Sequence, residues 1–172
     1  SEKRLTNLKP RLKRSGLSNV QPQRIAHEND SKIKRLAGKI DRVLVDAPCS
    51  GLGTLRRNPD LKFRQSVQSV AELNVKQRAI LDSAARLLKK GGRLVYATCS
   101  LLQEENQNVV SAFLDTHPEF SLVPAGEVLR QQHIDLPMGE TLQLTPQQHN
   151  TDGFFAAVLE RKVKADPSPP AQ

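Results

Sequence analysis

At 172 residues and 37% hydrophobic, the chain has enough apolar material for one domain with a core, and its charge and apolar content are not those of a disordered polymer. No run approaches the roughly 18 apolar residues of a membrane span, and the opening SEKRLTNLKPRLKRSG lacks the apolar stretch of a signal peptide, so a cytoplasmic protein is expected. The net charge of +8 is concentrated: residues 1–42 hold 12 Lys and Arg against 4 Asp and Glu, while the remainder is balanced at 14 against 14. A localised basic segment suits a polyanion such as RNA, because its cations neutralise phosphates and release counterions. A solvated helix face that keeps the protein soluble explains it equally well.

Leu5, Leu8 and Leu12 recur at helical spacing and Gly16 follows as a stop, which predicts an amphipathic helix over 2–15 despite Pro10 inside it. A short strand is expected near Gln21 to Ala26, then a polar loop, HENDSK. Arg42-Val-Leu-Val-Asp46 is an apolar run ending at an acidic residue and a proline, as a buried parallel strand does where its end opens onto a ligand crevice. A long basic loop from Cys49 to Arg64 follows. Ser69 and Glu72 make a capping box for a helix running through Leu73, Ile80, Leu81, Ala84, Leu87 and Leu88 to a stop at Gly91-Gly92.

A second buried strand, Arg93 to Thr98, delivers Cys99 at its end, and Ser100 with Gln103 makes a further capping box for a helix carrying Val109, Val110, Phe113 and Leu114. Thr141 to Leu144 and Phe154 to Glu160 predict two antiparallel strands at a sheet edge. The tail from Val163 is Pro-rich and polar and is expected to be disordered, leaving 1–162 as the folded unit. This order is half of a doubly wound α/β domain, with no Gly-rich strand-to-helix turn before Asp46; an open sheet edge and a tendency to self-associate follow.

Cys49 and Cys99 are fifty residues apart, in no zinc-ligand spacing with the four histidines, so no metal site is expected. Both stand just past predicted strand ends of one parallel sheet and should face one crevice. A thiol there, before a helix N-terminus, is partly stabilised as thiolate. Two small buried hydrophobes at strand ends would produce the same pattern.

DAPCSGLGTLRRNPDLKFR, then LVYATCSLLQEENQNVV, then DGFFAAVLERK resemble the catalytic domain of the RNA cytosine-5 methyltransferases of the Sun/Fmu (RsmB-type)/Nop family, from about residue 1 to Arg161. The resemblance implies an incomplete Rossmann-like (class I) S-adenosylmethionine-dependent methyltransferase fold lacking its N-terminal strands, with small-subunit ribosomal RNA as substrate. It implies that Cys99 adds to carbon 6 of a target cytosine, and that Cys49 assists collapse of the covalent adduct. Asp46 is implied to contact both the cytosine and the cofactor side of the pocket.

Pro48 stiffens the loop between Asp46 and Cys49 at the cofactor, and Gly51 and Gly53 let it pass close to a ligand. Arg56, Arg57, Lys62 and Arg64 lie beside that loop and are expected to hold the RNA backbone while the base is turned into the pocket. The family's Gly-rich cofactor loop and ribose-binding acid are not in this chain, and the family's acidic adenine position aligns with His27, with Asp30 three residues on. Weak cofactor binding by these residues alone is therefore expected. Two rival readings stand beside this one: a catalytically silent RNA-binding module, and a different Cys-dependent α/β enzyme cycling through a Cys49–Cys99 disulfide.

Overall fold

A computed structural model describes residues 2–163; most of the Pro-rich tail expected to be disordered lies outside the described residues. Helix α1 (Glu2–Ser15) forms as its leucine spacing predicts but buries no residue, and Leu5, Leu8 and Leu12 are only half covered. The strand expected at Gln21 to Ala26 is absent; that segment is irregular and exposed, because no neighbouring strand offers it a ladder. Asp30 then caps the four-residue helix α2 (Ser31–Lys34).

Strand β1 (Ile40–Asp46) runs parallel to the long strand β2 (Leu88–Thr98), pairing Val45 with Tyr96 and Asp46 with Ala97. Between them the basic loop contains a single 3-10 turn (Leu52–Thr54) and a short helix, α3 (Leu61–Arg64). Helix α4 (Val67–Ala85) begins two residues before the expected capping box. Ser66 and Ser69 form the reciprocal cap instead, and Glu72 lies inside the helix. The expected glycine stop also moves, since Gly91 and Gly92 lie within β2. There Gly91 takes φ +74° and the ladder shifts register between Ile40 and Arg42, while Leu88, helical by period, is drawn fully into the core as the start of the strand.

Past β2, Ser100 caps no α-helix. Gln103–Glu105 forms a 3-10 turn, and α5 (Gln107–Thr116) starts after Asn106. The sequence pattern missed β3 (Phe120–Val123) and α6 (Ala125–Gln131), whose apolar periods are too short to read. Strand β4 (Leu142–Leu144), helix α7 (Pro146–His149) and strand β5 (Phe154–Arg161) complete the fold. The sheet order is β1-β2-β5-β3 with β4 also on β5; the expected antiparallel pairing of the two late strands forms, but β5 is interior, with β3 and β4 both along its outer side.

One sheet face carries the core. Val45, Leu94, Tyr96, Phe155, Ala157 and Leu159 point to it, against Leu81 and Ala84 of α4 and Val109 and Phe113 of α5. On the other face Leu44 is 70% exposed, so β1 is half-buried rather than covered on both sides as its apolar run suggests. No helix among the described residues is long and apolar enough to cross a membrane.

Candidate active site

Parallel strands end at the same sheet edge. With Asp46 paired to Ala97, three more residues along one chain and two along the other bring Cys49 and Cys99 out together. Ala47 N–H still donates to the Ala97 carbonyl at 2.9 Å, which keeps the two exits side by side before they diverge. The Sγ atoms are 3.4 Å apart, both half-buried and free. That is thiol contact rather than the roughly 2.05 Å of a disulfide. Burial, and then the contact with Cys99, push the Cys49 thiol up to about 12 from its ordinary 9.0. Cys49 therefore keeps its proton near neutral pH, and either thiol can be the donor in the contact. The helix N-terminus expected to favour a thiolate at Cys99 is not there: the turn after it is 3-10, and α5 begins eight residues further on.

The loop after Cys49 is clamped by backbone. Gly51 takes φ +75°, which L side chains rarely adopt. Gly53 N–H donates to the Cys99 carbonyl at 2.9 Å, and Gly153 N–H donates to the Gly53 carbonyl at 2.8 Å. The close approach that Gly53 allows is thus to two other backbone segments.

Asp46 and Pro48 are exposed and border a cavity of about 450 Å³ with Ile25, His27, Val43 and Ile80. Asp30 is not in that wall. Its carboxylate accepts from Ala26 N–H at 3.0 Å and Lys32 N–H at 2.9 Å, bonds that hold its pKa below the usual carboxylate value and spend its oxygens on the loop. The four basic residues are engaged differently from one another. Arg57 Nε meets Asp152 Oδ2 at 2.6 Å and Arg56 Nε meets Oδ1 at 3.5 Å. Arg64 pairs with Asp60 at 2.5 Å, and Lys62 lies 4.9 Å over the Phe63 ring.

Sequence reasoning missed Asp152, although it stands in the DGFF motif, because its partner Arg57 is 95 residues away along the chain. It also missed the buried cluster of Ser50, Gln77, Glu105 and Asn106, since a Glu-Glu-Asn run after a strand reads as an ordinary helix start.

The mixed sheet with helices on its core face, whose two thiols meet at the carboxyl edge of a parallel pair, is part of a class I methyltransferase fold, as its likeness to solved structures shows. The family model described as 16S rRNA methyltransferase RsmB/F matches residues 1–160, and the chain belongs to that family. It is similar to ribosomal RNA small subunit methyltransferase B of Shewanella oneidensis, at 45% identity over 121 residues, which are 70% of this chain and 27% of that protein. Among solved structures it is similar to PH0851, with TM-score 0.81 and 39% identity over 94% of this chain and 35% of that one. It is likewise similar to NSun6 from Pyrococcus horikoshii with SFG, with TM-score 0.76 and 30% identity over 96% of this chain and 40% of that one. The chain spans about a third of the length of the relatives it matches.

Proposed function

We infer that this chain supplies the thiol half of the active site of an RNA cytosine-5 methyltransferase acting on small-subunit ribosomal RNA. The observation that carries this reading is the 3.4 Å contact between Cys49 and Cys99 Sγ at one sheet edge, in a family named for ribosomal RNA methylation. S-adenosylmethionine, when bound, supplies an electrophilic methyl group. Among the residues here, the apolar walls Ile25, Val43 and Ile80 with the polar rim His27 and Asp46 suit one flat, hydrogen-bonding end of that molecule, and Pro48 carries the wall toward the thiols. Asp30 supports this wall from behind by fixing the loop that presents His27.

Cys99 Sγ adds to carbon 6 of the cytosine, and the carbon 5–carbon 6 π pair becomes available at carbon 5 for the new bond to methyl. When carbon 5 then loses its proton to solvent water, that electron pair restores the double bond, the carbon 6–sulfur bond breaks, and Cys99 leaves as thiolate. Cys49, still protonated at neutral pH, donates its S–H to the departing sulfur and stabilises it. Asp46, at the strand end beside the thiol loop, accepts a hydrogen bond from the cytosine amino group. Arg56, Arg57, Lys62 and Arg64 face the RNA backbone.

In the complete protein, Cys49→Ala should accumulate a denaturation-resistant protein–RNA adduct and Cys99→Ala should form none. Normal methylation by Cys99→Ala would overturn the assignment.

A further inference from the structure

Glu105 is fully buried, as are its neighbour Asn106 and the Gln77 side chain, and their hydrogen bonds go to groups other than the two sulfurs. Their bonds divide between the two cysteine segments. Glu105 Oε1 accepts from Ser50 N–H at 2.8 Å and from Gln77 Nε2 at 3.0 Å, and Oε2 accepts from Ser50 Oγ at 2.5 Å. Gln77 Nε2 also donates to the Pro48 carbonyl at 2.9 Å. The peptide groups on both sides of Cys49 are therefore tied to one buried carboxylate and one buried amide. Asn106 serves the other segment: its Oδ1 accepts from Thr98 Oγ1 at 2.5 Å and its Nδ2 donates to the Ser100 carbonyl at 3.0 Å, on either side of Cys99.

We propose that Glu105 and Asn106 are a pair of positioning residues, Glu105 aiming Cys49 and Asn106 aiming Cys99, so that consecutive residues set the gap between the two thiols. This deepens the reading given above and rests on it. The turn that carries the pair is anchored without the Glu105 side chain. Tyr96 Oη donates to the Glu105 carbonyl at 2.7 Å, and the Asn74 amide donates to the Glu104 carbonyl. Shortening the Glu105 side chain thus loosens the Ser50 side of the Cys49 segment, whose Pro48 carbonyl Gln77 still holds, while leaving the Cys99 segment held by Asn106. If Cys49 acts in adduct collapse and Cys99 in adduct formation, the two residues must fail at different steps. A merely structural role would depress both steps together.

The test uses the complete protein. Glu105→Asp keeps the charge but is one methylene shorter and cannot span Ser50 and Gln77 at once. It should form adduct within about twofold of the normal rate and release product on the order of tenfold more slowly, so that adduct accumulates. Glu105→Gln keeps the reach and should recover most of that release rate relative to Glu105→Asp. Asn106→Ala should slow adduct formation on the order of tenfold without accumulation. A readout that needs neither RNA nor cofactor is the ratio of Cys49 to Cys99 alkylation by iodoacetamide, read by mass spectrometry; it should shift on Glu105→Asp. Ser50→Ala removes the hydroxyl's bond to Glu105 with its contacts to Ser100 Oγ and Leu52 N–H but keeps the Ser50 N–H bond to Glu105, and should move release in the same direction by less, which carries the test if Glu105→Asp does not fold. Parallel loss of both steps in Glu105→Asp, or an unchanged alkylation ratio, overturns the positioning pair. Cys49→Ala and Cys99→Ala run alongside: if they do not split into trapped and absent adduct, it is the proposed function that fails.

Discussion

Replacing Gly53 with alanine tests how the active-site loops are locked together. A Cβ on Gly53 would lie 2.3 Å from the Gly153 carbonyl oxygen and 2.8 Å from that of Cys99. Both are backbone atoms that no rotamer change can move. The two hydrogen bonds that join the three segments, Gly53 N–H to Cys99 and Gly153 N–H to Gly53, must open together. Each is worth about 1 kcal/mol net, and a buried group left unpaired costs about 1–3 kcal/mol, so a loss of about 2–4 kcal/mol is expected. That is a large part of the 5–15 kcal/mol typical of a domain. Gly139→Ala is the matched control: nothing lies within 4 Å of its added Cβ, and a change within about 0.5 kcal/mol is expected. Urea denaturation of the two variants measures the difference. Equal midpoints would refute the clamp, because the clash and the lost bonds exist only at Gly53.

The raised Cys49 pKa gives a signed pH dependence: the fold favours the neutral thiol, so its stabilisation is complete below about 9.0 and is lost as pH rises toward about 12. Thermal unfolding between pH 8 and 11 should therefore decline more steeply for the native protein than for Cys49→Ala, and parallel curves would contradict the shift. Asp152→Asn releases Arg56 and Arg57; RNA affinity should rise and its log–log salt slope should steepen by about 0.7 for each cation that engages a phosphate. An unchanged slope would take both arginines out of the RNA interface. The outer edge of β1, with Leu44 70% exposed beside it, should drive concentration-dependent association of this chain, reduced by Leu44→Lys; a monomer at high concentration in light scattering would refute it.

The parts of the molecule that were legible in the sequence are those encoded locally. The apolar runs at Val43 to Val45 and Leu94 to Ala97, each followed at once by a cysteine segment, predict both strands and the shared edge, and both strands form there. Helix ends were less legible: Ser66 and Ser69 both offer a capping hydroxyl and the helix starts after the first, whereas the Ser100 hydroxyl accepts from Leu102 N–H ahead of a 3-10 turn. Asp30 shows the same ambiguity at a candidate site: an acid in a polar loop has the composition of a ligand contact, yet its oxygens close the loop itself. What no local pattern could reveal is the Glu105 cluster. Its bonds join Ser50 and Glu105, 55 residues apart, and nothing in either neighbourhood marks the other.

The thiol contact depends on the register of β1 against β2. A slip of one residue would carry the exit that leads to Cys49 about 3.3 Å along the strand direction, enough to break a contact that measures 3.4 Å. The same slip would move Val45 out of the row it forms with Tyr96 and Ala157 and bring Leu44, now 70% exposed, into the core. Burial of that row therefore fixes the register with the full strength of the hydrophobic core, and the two sulfur atoms need only short, rigid exits from the strand ends. The Glu105 and Asn106 bonds act within that frame, each holding one cysteine segment. This division explains why the cysteine segments differ in their anchors: the apolar row brings both to the same edge, and only side chains beyond the strands can make them unlike.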